Sequence, residues 1–136
     1  MGKQADIYAA LKAKAEAVAL ALDLPAAIDD ASFTPPFVDG NLPPFLRFDF
    51  FNNAPFWQGI RDGRVDQGLL QANLVVSYGF DRAVAYDYTD QIIALYPNGE
   101  RLSALRVLKV QGQSWVASPI PEADRTTYPV TVSWVC

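Results

Sequence analysis

The chain predicts an α+β fold: a single mixed β-sheet of about four to five strands with two α-helices packed on one face. Three stretches carry that expectation. From Gly68 to Tyr78 the sequence GLLQANLVVSY alternates, with Leu70, Ala72, Leu74, Val76 and Tyr78 on one face and Gln71, Asn73 and Ser77 on the other. That is the period of a strand with one buried side. Gly79 then opens a turn, and FDRAVAYDYTDQIIALYP reads as a helix carrying Val84, Tyr88, Ile92 and Leu95 at spacings of four, four and three. A helix delivered straight off a strand lies back across that strand's apolar face. Finally, TYPVTVSWV sets Tyr128, Val130, Val132 and Trp134 against Thr131 and Ser133, a regular terminal strand expected to close the sheet.

The length of 136 residues is that of one ordinary domain, and a hydrophobic fraction of 51% with strong periodicity supplies a core. A net charge of −4 without a basic stripe excludes a general nucleic-acid binder, which needs cations to neutralise phosphates. The single cysteine, Cys136, is the last residue and there is no histidine. An internal disulfide framework and a Cys/His zinc site are therefore excluded, and a reducing compartment is the simplest setting. AEAVALALDLPAA resembles a signal core, but Lys12, Lys14 and Glu16 interrupt it and no run reaches membrane-spanning length. No export signal and no membrane association are expected. Met1-Gly2 does not begin a myristoylation motif, because Asp6 stands where Ser or Thr is needed.

In chain order, a helix is expected from about Asp6 to Leu22, with Ile7, Leu11, Ala15, Val18 and Leu22 as its apolar stripe and Pro25 ending it. Prolines at 25, 35, 36, 43 and 44 keep residues 23–44 extended, with one short edge strand near Ser32–Phe37. Asp29 and Asp30 are adjacent on that extended chain and point apart without a third ligand, so they read as a solvated loop rather than a metal site. FLRFDFF (45–51) alternates Leu46, Phe48 and Phe50 against Arg47 and Asp49. Its aromatics belong to the core rather than to a base-stacking platform, which needs basic neighbours.

Residues 52–67, NNAPFWQGIRDGRVDQ, form a long hairpin-type connection without periodicity of its own. Connections of that length are usually functional or disordered. Two readings stand side by side: a flap whose Phe56 and Trp57 fold back onto the sheet, or a partner-docking arm in which those aromatics anchor and Arg61, Asp62, Arg64 and Asp66 align the contact. YPNGERL (96–102) stops the second helix, with Pro97 barring continuation and Asn98-Gly99 making a turn. A lone glycine after a helix is not a phosphate cradle. LRVLKV (105–110) and SWVAS (114–118) precede the terminal strand. With no histidine, catalysis would rest on carboxylates. Asp87 and Asp90 share a helix face but read as solvated beside Arg82, so no catalytic, metal or cofactor site is expected.

The order helix, proline-rich segment, PFLRF strand, Gly-Leu-Leu-Gln strand, helix ending in LYPNGERL and final TYPVTVSW strand resembles the tail terminator-like proteins of long-tailed bacteriophages. The likeness runs from Ile7-Tyr8-Ala9-Ala10-Leu11 through Phe33-Thr34-Pro35-Pro36 and Pro44-Phe45-Leu46-Arg47-Phe48 to Pro129-Val130-Thr131-Val132. It implies a structural virion protein, not an enzyme, made in the host cytoplasm and located at the head-proximal end of the tail. There it caps the tail tube as a ring homo-oligomer, usually a hexamer, and meets the tail tube protein and the head–tail connector protein. The alternatives are a head–tail connector completion protein, a small carboxylate-dependent hydrolase or a ligand-binding domain. In the ring reading the docking residues are Phe56, Trp57, Arg61, Asp62 and Arg64, and SPIPEADRTT (118–127) is a second arm. A strand edge at 45–51 or 128–135 is expected near a subunit contact.

Overall fold

The computed structural model describes residues 3–28, 43–52, 56–57, 64–102, 108–122 and 125–136. Along the chain these form α1 (Lys3–Leu22), β1 (Ala26–Ile28), β2 (Phe45–Asn52), β3 (Phe56–Trp57), β4 (Arg64–Val65), β5 (Gln67–Ser77), α2 (Arg82–Ala94), β6 (Lys109–Val110), β7 (Trp115–Val116), β8 (Ile120–Pro121) and β9 (Arg125–Val135). The α+β class, the single main sheet, its mixed character and the two helices agree with the sequence expectation. The strand count is larger, because seven strands join the main sheet in the order β1-β2-β5-β9-β6, with β7 and β8 also on β9.

β5 and β9 pair antiparallel over their full length, from Gln67↔Val135 to Ser77↔Arg125. β2 pairs antiparallel with the other side of β5, from Phe45↔Val75 to Asn52↔Gly68. The terminal strand therefore does not close the sheet; it is an interior strand, and β6, β7 and β8 line its outer flank. Pro129 sits within it because the carbonyl of Pro129 accepts from Ala117 N at 2.9 Å on that flank. In an antiparallel strand the N and C=O of one residue point the same way, so the missing N–H faces the interrupted flank and not the long ladder with β5. β1 pairs parallel with β2, Ala26↔Leu46 to Ile28↔Phe48. The short strand on the proline-rich side thus begins at Ala26; the expected position Ser32–Phe37, and Asp29 and Asp30 with it, lie outside the described residues.

One face of this sheet is filled. Leu46, Phe48, Leu70, Ala72, Leu74, Val76, Val130, Val132 and Trp134 are buried there against Ile7, Leu11, Ala15 and Val18 of α1 and Ala85 and Ile92 of α2. The α1 stripe is the predicted one, but proline does not end that helix. Asp23 takes a left-handed conformation (φ 54°), and Leu24 N donates to Ala19 O at 3.1 Å while Asp23 N donates to Leu20 O at 3.1 Å. This is the Schellman arrangement that satisfies the last carbonyls, and Pro25 follows it.

The α2 stripe is rotated from the predicted one. Ala85, Thr89 and Ile92 are the buried positions, whereas Val84 is 43% exposed. Small residues at 85 and 89 let the helix lie close to the sheet, with the Thr89 hydroxyl donating to Tyr86 O at 2.9 Å. Asp81 caps the helix, its Oδ1 accepting from Ala83 N at 2.9 Å. Tyr78, expected in the core, lies one residue beyond the strand and is 68% exposed.

Gly68 marks the tightest packing. A Cβ there would stand 2.3 Å from Phe51 O and 2.4 Å from Trp134 Cζ2, so the indole of Trp134 lies over a position that only glycine can hold. At the other end of the core, Lys14 Nζ is 3.1 Å from Glu100 Oε1 and 5.5 Å from the centre of the Tyr96 ring. The Ser114 hydroxyl donates to Tyr96 O at 3.2 Å, tying α1, the end of α2 and the chain before β7 together.

Candidate functional site

The connection 52–67 contains a ladder that its sequence does not announce. Phe56↔Val65 and Trp57↔Arg64 pair antiparallel as a separate two-stranded ribbon, β3–β4, outside the main sheet. Trp57 and Arg64, two of the residues predicted to dock, are thus register partners. Arg61 and Asp62 lie outside the described residues. Asp66 does not belong to this arm: it is only 3% exposed, its N donates to Cys136 O at 3.1 Å and its O accepts from Cys136 N at 2.8 Å. The chain has rejoined the sheet by that point, and the backbone pairing to the last residue draws the side chain inward.

The other nominated arm, 118–127, folds back instead of protruding in its described part. Ile120↔Thr127 and Pro121↔Thr126 pair β8 with β9, and Glu122 N donates to Arg125 O at 2.7 Å. Between this hairpin and the β5–α2 turn lies a cleft of about 320 Å³ walled by Tyr78, Phe80, Pro119 and Pro121. A second cleft of about 360 Å³ lies where α1 begins, lined by Gln4, Ile7, Tyr8, Phe50 and Asn52. Tyr8 and Phe50 hold their ring centres 5.6 Å apart there.

The face of the sheet opposite the helices has a different character. Residues directly across a ladder point to the same side, so Phe45, Arg47, Asp49 and Phe51 share this face with Leu69, Gln71, Asn73 and Val75, and with Thr127 and Thr131. Phe45 and Val75 make a small buried pair. Asn73 is buried beside them, donating from Nδ2 to Arg47 O at 3.2 Å and Asp49 Oδ2 at 3.1 Å, while Arg47 Nε lies 3.6 Å from that same Oδ2. Along the outer flank the same side presents Arg101, Lys109, Trp115 and Ile120, all exposed. Of the two predicted edges, 45–51 lies next to the edge strand β1, and 128–135 is interior.

Among the described residues no group of three or more His, Cys, Asp or Glu side chains converges that could hold a metal ion, and no described helix is long and apolar enough to cross a membrane. Asp87 and Asp90 are exposed on α2, and Asp87 accepts from Gln91 Nε2 at 3.0 Å. The clearest perturbed group is Tyr96, whose phenol is pushed far above its usual range, first by burial and then by the charge of Glu100. That group braces the core and faces no cleft described above.

Comparison with known proteins decides the family. The model of the phage tail terminator protein family matches residues 6–134, nearly the whole chain. The chain belongs to the phage tail terminator family. This makes it a structural component of a phage tail and points away from enzymatic activity. A solved protein structure superposes with a TM-score of 0.75 at 22% identity, covering 99% of this chain and 96% of that one, a likeness of fold alone. No curated protein matches the chain.

Proposed function

We propose that this tail terminator assembles as a ring, a hexamer on the family resemblance, on the end of a completed tail tube, where it stops growth and offers the surface that joins the head connector. The observation that carries this reading is the self-paired ribbon β3–β4, rooted at the end of β2 and standing outside the main sheet, in a chain matched over its length by the terminator family. A ring needs heterologous contacts, in which one surface of a subunit meets a different surface of its neighbour. A ribbon carrying Phe56, Trp57 and Arg64, with Arg61 and Asp62 in the same connection, has the aromatic and arginine composition of interface anchors. In this reading the protein is made in the host cytoplasm, sits at the head-proximal end of the virion tail and works without metal or cofactor. Electron microscopy of the protein mixed with purified tail tubes tests it. Rings seated at one end of each tube are expected; a strict two-fold dimer that leaves tube ends bare contradicts it.

A further inference from the structure

Two exposed surfaces on opposite sides of the sheet carry opposite charge and matching apolar groups. On the side away from the helices, Arg101 and Lys109 are register partners in an isolated antiparallel bridge. Residues directly across a strand pair lie side by side on one face, so two cations stand together on this exposed flank. Lys109 is in turn opposite Val135, and Trp115 is opposite Thr131, which places the cations and the indole on one side of the same flank of β9. Ile120, opposite Thr127, continues that row. Trp115 and Ile120 are each 54% exposed. An exposed tryptophan and isoleucine together make an apolar spot on this flank, and tryptophan and arginine are among the residue types enriched in protein interfaces.

The outer face of α2 is the counterpart. Asp81, Asp87 and Asp90 are exposed there with Arg82 as the one cation, so its charge is acidic. Val84, 43% exposed, stands one turn before Asp87 and supplies an apolar spot among them. Because α2 lies on the filled face of the sheet and the flank residues point the other way, the two surfaces cannot meet within one subunit.

We infer that the α2 face of one copy docks on the Arg101–Lys109–Trp115 flank of the next. The contact is heterologous, it pairs carboxylates with cations, and it sets Val84 against the exposed indole and isoleucine. The inference rests on the ring reading and names the surfaces that would close the ring.

Charge reversal tests it, because the reversed side chains are exposed and the subunit folds without them. Lys109→Glu, and separately Asp87→Lys with Asp90→Lys, are expected to weaken assembly at least about tenfold, read by light scattering against concentration, with melting of the subunit not lowered. Carrying all three reversals on one chain together with Arg101→Glu makes the flank acidic and the α2 face basic, and is expected to restore assembly. Assembly of the wild type should also weaken as salt is raised. Wild-type rings with Lys109→Glu assembling equally well overturn this contact and leave the ring reading standing; so does the combined variant, Arg101→Glu included, if it is no better than the separate ones. A wild-type chain that stays monomeric at every concentration, alone and on tubes, overturns both.

Discussion

The two faces of the main sheet are built from the same strands and follow different rules. On the helix side, alternate residues of β2, β5 and β9 are sealed under α1 and α2, ending in Trp134, which is 1% exposed. On the other side the alternation delivers a small apolar pair, a buried asparagine network and a flank where Trp115 is half exposed. Trp134 is sealed inside the subunit, whereas Trp115 is 54% exposed. The difference teaches that burial in this fold is set by which side the helices cover, and that the uncovered side is where contacts with other proteins are to be sought.

The sharpest way to break the comparison is to damage the filled side. Trp134→Ala should destabilise the subunit by about 3–5 kcal/mol, as for other buried large aromatics, measured by denaturant unfolding. Gly68→Ala should cost about 1–3 kcal/mol by overpacking, since the new methyl meets both the Phe51 carbonyl and the Trp134 ring. If both variants unfold like the wild type, the helix side does not carry the stability assigned to it.

The other face should respond less. Asn73→Ala removes the bonds to Arg47 O and Asp49 Oδ2 and leaves their acceptors to solvent and Arg47, an expected loss of about 1–2 kcal/mol in the same unfolding measurement. A loss as large as that of Trp134→Ala would erase the distinction between the faces.

Tyr96 refines the account of the filled side further. Its hydroxyl is buried without a hydrogen-bond partner among the described residues, so Tyr96→Phe should leave stability at neutral pH unchanged or raise it by about 1 kcal/mol. The sign with pH follows from its raised pKa. The folded chain holds the proton that the unfolded chain releases above about pH 10, so the contribution is complete below that value and falls as pH rises above it. Alkaline unfolding of Tyr96→Phe should therefore start at higher pH; an identical alkaline limb would remove Tyr96 from the account.

Much of this was readable in the sequence, and the misses have physical causes. The period-two runs at 68–76 and 128–134 and the α1 stripe report the helix-covered side, where burial and hydrophobicity coincide. On α2 the first branched apolar residue, Val84, drew the predicted stripe outward, while the close approach to the sheet selected Ala85 and Thr89, which hydrophobicity does not flag. Alternation cannot say whether a strand has one neighbour or two, so β9 read as a closing strand although its outer flank carries three short ones. The ribbon β3–β4 was hidden because two residues on each side are too few to show a period, and the basic flank because Arg101, Lys109 and Trp115 meet only through register.

The most direct test of the division between the faces is the mass in solution of the Trp115→Ala protein, measured by light scattering with thermal melting recorded on the same sample. The account predicts a subunit within about 0.5 kcal/mol of wild-type stability, since the side chain is surface-exposed, whose assembled mass falls toward that of the monomer. An early-melting Trp115→Ala, or one that assembles as fully as the wild type, would contradict it.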